Sequence, residues 1–175
     1  MEKTLKTEWI YKGRVVNLKI DEVELPNGRK SKREIIVHRG AAAILPIDDD
    51  GNIVMVKQYR KPAEKILLEI PAGTLEEGED PLECAKRELI EETGFAAREF
   101  TPLISFYSTP GFTTERLHIY IAKGLYEESG EMDFDEFIEI EKIPFNEALS
   151  MVLEGKIEDA KTIIGILTFN EKSRV

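Results

Sequence analysis

The chain has a single cysteine, Cys84, so no intrachain disulfide can form and a zinc centre built from several thiolates is ruled out. Burial as a small packed residue is the expected role for that thiol. No apolar run approaches the length that spans a bilayer, and the opening MEKTLKTEWIYKG has no stretch of the kind a secretory leader requires. No membrane partner and a cytoplasmic location are therefore expected. Positive charge is in deficit: 24 Lys and Arg face 34 Asp and Glu, a net charge of -10 that repels an extended nucleic-acid backbone. No nucleic-acid partner is expected, but a small phosphorylated ligand is compatible, because metal ions bridge its phosphates to an acidic pocket. Glutamine occurs once, at Gln58, while Lys and Glu abound, a bias of heat-adapted proteins.

What is present describes a globular protein. Over 175 residues, 42% are apolar and 33% charged, enough for one domain with a proper core plus a small appendage. Neither an internal repeat nor a low-complexity tract interrupts it. Residues 9–16 and 19–25 alternate as strands, Pro26-Asn27-Gly28 is a turn, and 33–38 returns, giving a small antiparallel β unit over residues 1–40. The main domain, residues 41–175, continues with strands at 41–47 and 52–59 around the solvated turn Asp48-Asp49-Asp50-Gly51. Further strands are expected at 66–70, 100–107, 117–122 and 137–140. Helices are expected at 81–92, 144–153 and 157–169, the last with β-branched residues that also suit a strand.

The helix at 81–92 is marked at both ends, by Asp80 as N-cap with Pro81 at the first position, and by Gly94. One side carries Leu82, Ala85 and Leu89 toward the core. On another, Glu88, Glu91 and Glu92 lie three and four residues apart, so their carboxylates are expected to converge on one point. Like charges so placed destabilise a helix unless a cation or a basic neighbour offsets them. Hard carboxylate oxygens suit Mg2+, with Mn2+ as a substitute.

The whole stretch, GTLEEGEDPLECAKRELIEETGF from Gly73 to Phe95, has Gly73, Glu79, Arg87-Glu88, Leu89, Glu91-Glu92 and Gly94 at the spacing of the Nudix box. Chance occurrence of that pattern is about one in ten million. The chain therefore resembles the Nudix hydrolases. Three other stretches and Pro110, sixteen residues beyond Gly94 in STPGFTTER, resemble the ADP-ribose pyrophosphatase branch: Lys57-Gln58-Tyr59-Arg60, Glu69-Ile70-Pro71-Ala72-Gly73 and Asp133-Phe134-Asp135-Glu136-Phe137.

That resemblance implies an α/β/α sandwich with a mixed sheet, an α/β fold whose topology the pattern alone does not dictate. It implies metal ligation by Glu88, Glu91, Glu92 and the Ala72 carbonyl, with Glu91, Glu92 and Glu136 as catalytic carboxylates. Asp133 and Asp135 are alternatives to Glu136 as base or extra ligand. Glu79 is implied to be structural and Arg87 to orient a carboxylate. Arg60, and less directly Arg33, are implied contacts to diphosphate or ribose, and Pro110 marks the substrate side. Trp9 stacks on adenine across a homodimer in this reading, or packs in the core. His38 and His118 are assigned structural roles. The implied reaction is Mg2+-dependent hydrolysis of ADP-ribose to AMP and ribose 5-phosphate. Another nucleoside diphosphate sugar or dinucleotide is the alternative substrate, and a non-catalytic ADP-ribose-binding module the alternative class.

Overall fold

The computed structural model describes residues 1–128 and 138–174. Two compact units emerge, one of residues 1–40 with 106–116, the other of residues 41–105 with 117–175.

In the first unit β1 (Lys3–Lys12), β2 (Asn17–Glu24) and β3 (Lys30–Val37) form an antiparallel sheet in that order. Strand β1 begins six residues before the alternation at Trp9 and ends where Gly13 turns the chain, its N–H bonding Val16 O at 3.0 Å. Every residue of β1 has the accessibility of an edge, which is why its outer half shows no apolar pattern to read. The segment 106–116 joins this unit through Ile36, whose N–H bonds Phe112 O at 2.8 Å and whose carbonyl accepts from Thr114 N at 3.0 Å.

The second unit contains β4 (Ala41–Pro46), β5 (Asn52–Arg60), β6 (Lys65–Glu69), β7 (Ala72–Thr74), α1 (Pro81–Thr93), β8 (Phe95–Tyr107), β9 (Arg116–Glu127), β10 (Ile138–Pro144), α2 (Phe145–Leu153) and α3 (Ala160–Lys172), the outer ends of β8 and β9 reaching into the first. A four-stranded sheet runs β7-β4-β9-β8, with β4 parallel to β9 and antiparallel to β7; β10-β5-β6 is antiparallel. Successive strand residues point to opposite faces. Ile44 and Tyr120 pack with Cys84, Ala85 and Leu89 of α1, whereas Ile119 meets Gly165 of α3 on the other side. This is the α/β/α sandwich with a mixed sheet.

Both marked ends of α1 are realised: Asp80 accepts the Leu82 N–H at 2.9 Å, and Gly94 takes the left-handed conformation with φ 68°. Full burial of Leu89 contributes about 2 kcal/mol. Helix α3 starts at Ala160, three residues later than its apolar pattern indicates, because Asp159 caps it and Ile157 is buried outside it. The three-residue β7 is too short for periodicity to reveal. No described helix is long and apolar enough to cross a membrane.

Candidate active site

The loop from Glu69 to Gly73 joins β6 to β7 and lies against α1. Its backbone is held at three successive points: Ile70 N–H donates to Thr162 Oγ1 at 2.8 Å, Pro71 O accepts from Ile44 N at 2.9 Å, and Ala72 N–H donates to Glu92 Oε2 at 3.0 Å. Proline has no N–H to place, so every amide of Ile70-Pro71-Ala72 is accounted for. Glu92 is only 3% exposed. Gly73 approaches Glu88 so closely that a Cβ there would sit 1.7 Å from the carboxylate oxygen.

Arg87 supplies the basic neighbour that the acidic face requires. Its Nη1 donates to Glu88 at 2.7 Å and Glu91 at 2.8 Å, while Nε and Nη2 reach Glu79 at 3.1 and 3.2 Å. Burial works against the charged guanidinium, but bonds to Glu79 and the charge of Glu88 outweigh it and raise the Arg87 pKa. The bond from Arg87 in turn holds the Glu79 carboxyl below its ordinary range. Glu79 also takes the Glu76 N–H at 2.8 Å, tying the loop ahead of α1 to the helix. Cys84 is buried and its thiol is pushed up to about 12, first by burial and then by Glu88 and Glu79, so it stays an unreactive thiol.

Convergence of the three carboxylates on a single point is not what the structure shows. Glu88 and Glu91 lean on Arg87 and Glu92 on Ala72 N–H, and among the described residues no group of three or more His, Cys, Asp or Glu side chains is gathered to enclose an ion. The helix spacing sets their Cβ positions; the guanidinium and the loop amide decide where the oxygens go. In kind, the donors fit a hard divalent cation: Glu92 and Glu88 lie against the Ala72-Gly73 backbone, with Glu91 on the same helix, and Gly73 leaves room for Glu88.

Arg60 ends β5 and forks onto Glu69, Nε to Oε1 and Nη2 to Oε2, both 2.8 Å. Glu69 is 1% exposed and also bonds Lys161, which sits 3.1 Å from Asp159. Burial pushes the Glu69 carboxyl up, but the Arg60 bond and Lys161 charge bring it below the ordinary value. The Arg60 bond to Glu69 likewise raises the arginine. In the sequence Glu69 stands only as part of the stretch Glu69–Gly73, with no role of its own, and Lys161 and Thr162 carry no mark. A lone acid inside the apolar run Ile66–Ile70 is a further signal that Glu69 needs a partner.

Trp9, Arg33 and Pro110 belong to the first unit. Trp9 is 46% exposed with Lys12 Nζ 4.8 Å above its ring, which corrects the core-packing alternative. Arg33 is paired with Glu2 on the sheet surface, and Pro110 lies in the exposed β8–β9 connection. His38 Nδ1 accepts the Gly40 N–H at 3.0 Å, and His118 Nδ1 lies 2.9 Å from Ser105 Oγ. Asp133, Asp135 and Glu136 lie outside the described residues.

Comparison with known proteins agrees with this architecture. Residues 37–164 match the NUDIX domain and residues 2–36 match the nucleoside diphosphate sugar hydrolase N-terminal domain. The chain belongs to the Nudix family of hydrolases, whose members generally work with divalent metal ions. It is 52% identical to a methanol dehydrogenase activator of Bacillus methanolicus and 48% identical to an ADP-ribose pyrophosphatase of Bacillus subtilis (strain 168), each match covering 94% of this chain and 90% of the relative. A crystal structure of an ADP compounds hydrolase superposes with a TM-score of 0.88 at 25% identity, covering 99% of this chain and 94% of that one.

Proposed function

We propose that the chain hydrolyses the pyrophosphate bond of ADP-ribose, giving AMP and ribose 5-phosphate, with Mg2+ as its metal and Mn2+ as a substitute. The observation that carries the reaction class is the approach of Glu88 and Glu92 on α1 to the Ala72-Gly73 backbone, with Arg87 holding Glu88 and Glu91. The 48% identity to an ADP-ribose pyrophosphatase supports the substrate.

Glu88, Glu91, Glu92 and the Ala72 carbonyl would hold the metal, which neutralises phosphate oxygens and lowers the pKa of a water. Glu92 anchors the Ala72 amide and would thereby help position the Ala72 carbonyl for the metal. Arg87 orients Glu88 and Glu91 and limits their mutual repulsion. Glu91, Glu92 and Glu136, with Asp133 or Asp135 in place of the last, are the proposed bases for the attacking water. Arg60 keeps donors beyond those used by Glu69 and offers them to the diphosphate. Trp9, Arg33 and Pro110 are proposed nucleotide contacts on the strength of the family resemblance. The proposed organisation is a β unit over residues 1–40 and a hydrolase domain over 41–175, in a cytoplasmic homodimer.

An assay panel tests this directly. ADP-ribose is expected to be turned over in preference to sugar nucleotides, diadenosine polyphosphates and oxidised nucleoside triphosphates; equal rates on all would sink the substrate claim. Glu92→Gln should lower turnover by about three powers of ten with the fold intact, and unaltered turnover would contradict hydrolysis at this site. A second reading, activation of a methanol dehydrogenase, is favoured by the 52% identical relative. Adding the chain to that dehydrogenase and following alcohol oxidation tests it.

A further inference from the structure

We propose that Thr162, remote in sequence from the Nudix box, is a positioning residue for metal binding, acting through Ile70 on the loop that carries the Ala72 carbonyl. The inference rests on the hydrolytic reading above.

The hydroxyl of Thr162 is wholly buried, and its single proton has only one destination. Asp159 Oδ2, 2.6 Å away, can only accept, and the Ile70 amide, 2.8 Å away, can only donate. The hydroxyl therefore gives its proton to Asp159 and presents a lone pair to Ile70. Its orientation is dictated by both neighbours, so the Ile70 N–H meets a fixed acceptor rather than a rotor.

Asp159 is itself fixed as the cap of α3, where the same oxygen takes the Thr162 N–H at 2.9 Å. Two further contacts bring that helix end onto the same loop. Lys161 bonds the Glu69 carboxylate, and Gly165 lies so near Ile70 that a Cβ would stand 3.3 Å from Ile70 Cδ1. Side chain, amide and preceding carboxylate of the segment Glu69-Ile70 are thus each held by α3. The Ala72 amide, two residues on, is held by Glu92 of α1. Between them Pro71 allows little backbone rotation, so a shift at Ile70 carries through to Ala72. Removing the hydroxyl leaves a buried amide without its acceptor, and the loop must move to satisfy it.

The test uses the full chain and Mn2+ alone, counting bound ion by electron paramagnetic resonance. Thr162→Val, close to the same shape without the hydroxyl, is expected to raise the Mn2+ dissociation constant about tenfold, the scale seen when a residue supporting a metal ligand is lost. The metal concentration for half-maximal hydrolysis should rise in step, while KM for ADP-ribose at saturating metal stays within about twofold. Thr162→Ser, which retains the hydroxyl, should restore both constants. Wild-type metal binding in Thr162→Val, or failure of Thr162→Ser to restore it, overturns the proposal. Should Thr162→Val not fold, Asp159→Asn decides: it retains a capping acceptor and weakens the charge-assisted bond, so its metal constant must rise, and an unchanged constant is refutation. A wild-type chain that binds Mn2+ but hydrolyses no nucleoside diphosphate compound would overturn the parent reading and leave this one standing.

Discussion

Replacing Gly73 by alanine should separate activity from stability. Gly73 is outside the left-handed region, so alanine meets no backbone strain, but its Cβ would fall 1.7 Å from Glu88 Oε1 and 1.9 Å from Cδ. Ordinary contact begins near 3.5 Å, so the carboxylate must retreat by about 1.7 Å or more. The obstacle is the free end of a flexible side chain, and the fold survives by letting it swing. The cost is the 2.7 Å bond from Arg87, partly solvated and worth about 1 kcal/mol. Against it stands about 0.4–1 kcal/mol gained by stiffening the unfolded chain. The melting midpoint should therefore move by no more than about 4 °C. If Glu88 holds the metal as proposed, misplacing it by more than an ångström should lower turnover about a hundredfold or more, near 3 kcal/mol in the barrier. Gly78 provides the reverse case: φ is +78° and nothing lies within 4 Å of its Cβ position, so Gly78→Ala should cost about 1–2 kcal/mol in stability and spare turnover. Hydrolysis of ADP-ribose at saturating Mg2+, with thermal melts of the same samples, reads both. If Gly73→Ala keeps turnover within about threefold of wild type, the assignment of Glu88 is wrong.

Other consequences are open to simple measurement. Arg60→Ala leaves buried Glu69 with Lys161 alone and should cost about 2–3 kcal/mol in urea unfolding, with a raised KM for ADP-ribose; an unchanged KM would remove Arg60 from the substrate site. Glu69 and Glu79 both have folded pKa values below their ordinary 4.5, so their contribution to stability is complete above that pH and is lost as pH falls through the lowered values. Urea midpoints between about pH 3 and 7 should fall on the acid side, and Glu69→Gln should make that fall shallower; an identical acid limb would mean that Glu69 is not held ionised by its partners. Trp9 is the sole tryptophan and is half exposed, so its fluorescence should be quenched by ADP-ribose if it stacks on adenine. No spectral change at saturating nucleotide argues for a surface role.

How much of this was legible in the sequence depends on the reach of each interaction. Helix α1 could be read to within a residue because its cap, first proline and terminal glycine are local signals whose mechanisms act within four residues. Glu88, Glu91 and Glu92 could be placed on one helix for the same reason. Their oxygens could not, because those are directed by the Arg87 fork and by the Ala72 amide, the latter 20 residues from Glu92. The start of β1 was hidden by its exposure, and β7 by its length. Helix α3 starts at Ala160 rather than Ile157 because Ile157, apolar and buried, belongs to the approach to the helix rather than to its stripe. Thr162 carried no signal at all: its partner Ile70 is 92 residues away, and a threonine in the first turn of a helix is unremarkable in a sequence.

The arrangement also explains why a loop of so few residues can be rigid. Leu89 packs with Ile44 on the α1 face of the four-stranded sheet, and Gly165 of α3 meets Ile119 on the other, so the two helices occupy opposite faces. Each sends one acceptor to the loop at its edge, Glu92 to Ala72 and Thr162 to Ile70, with Pro71 between them donating nothing. Charged groups surround both: on α1 Arg87 binds Glu88 and Glu91, and Glu79 ahead of the helix, while Asp159 and Lys161 flank Thr162 at the start of α3. A sandwich of three layers thus gives the Ala72 backbone two supports, and if that backbone ligates the metal as proposed, weakening either should loosen the cation before it unfolds the chain.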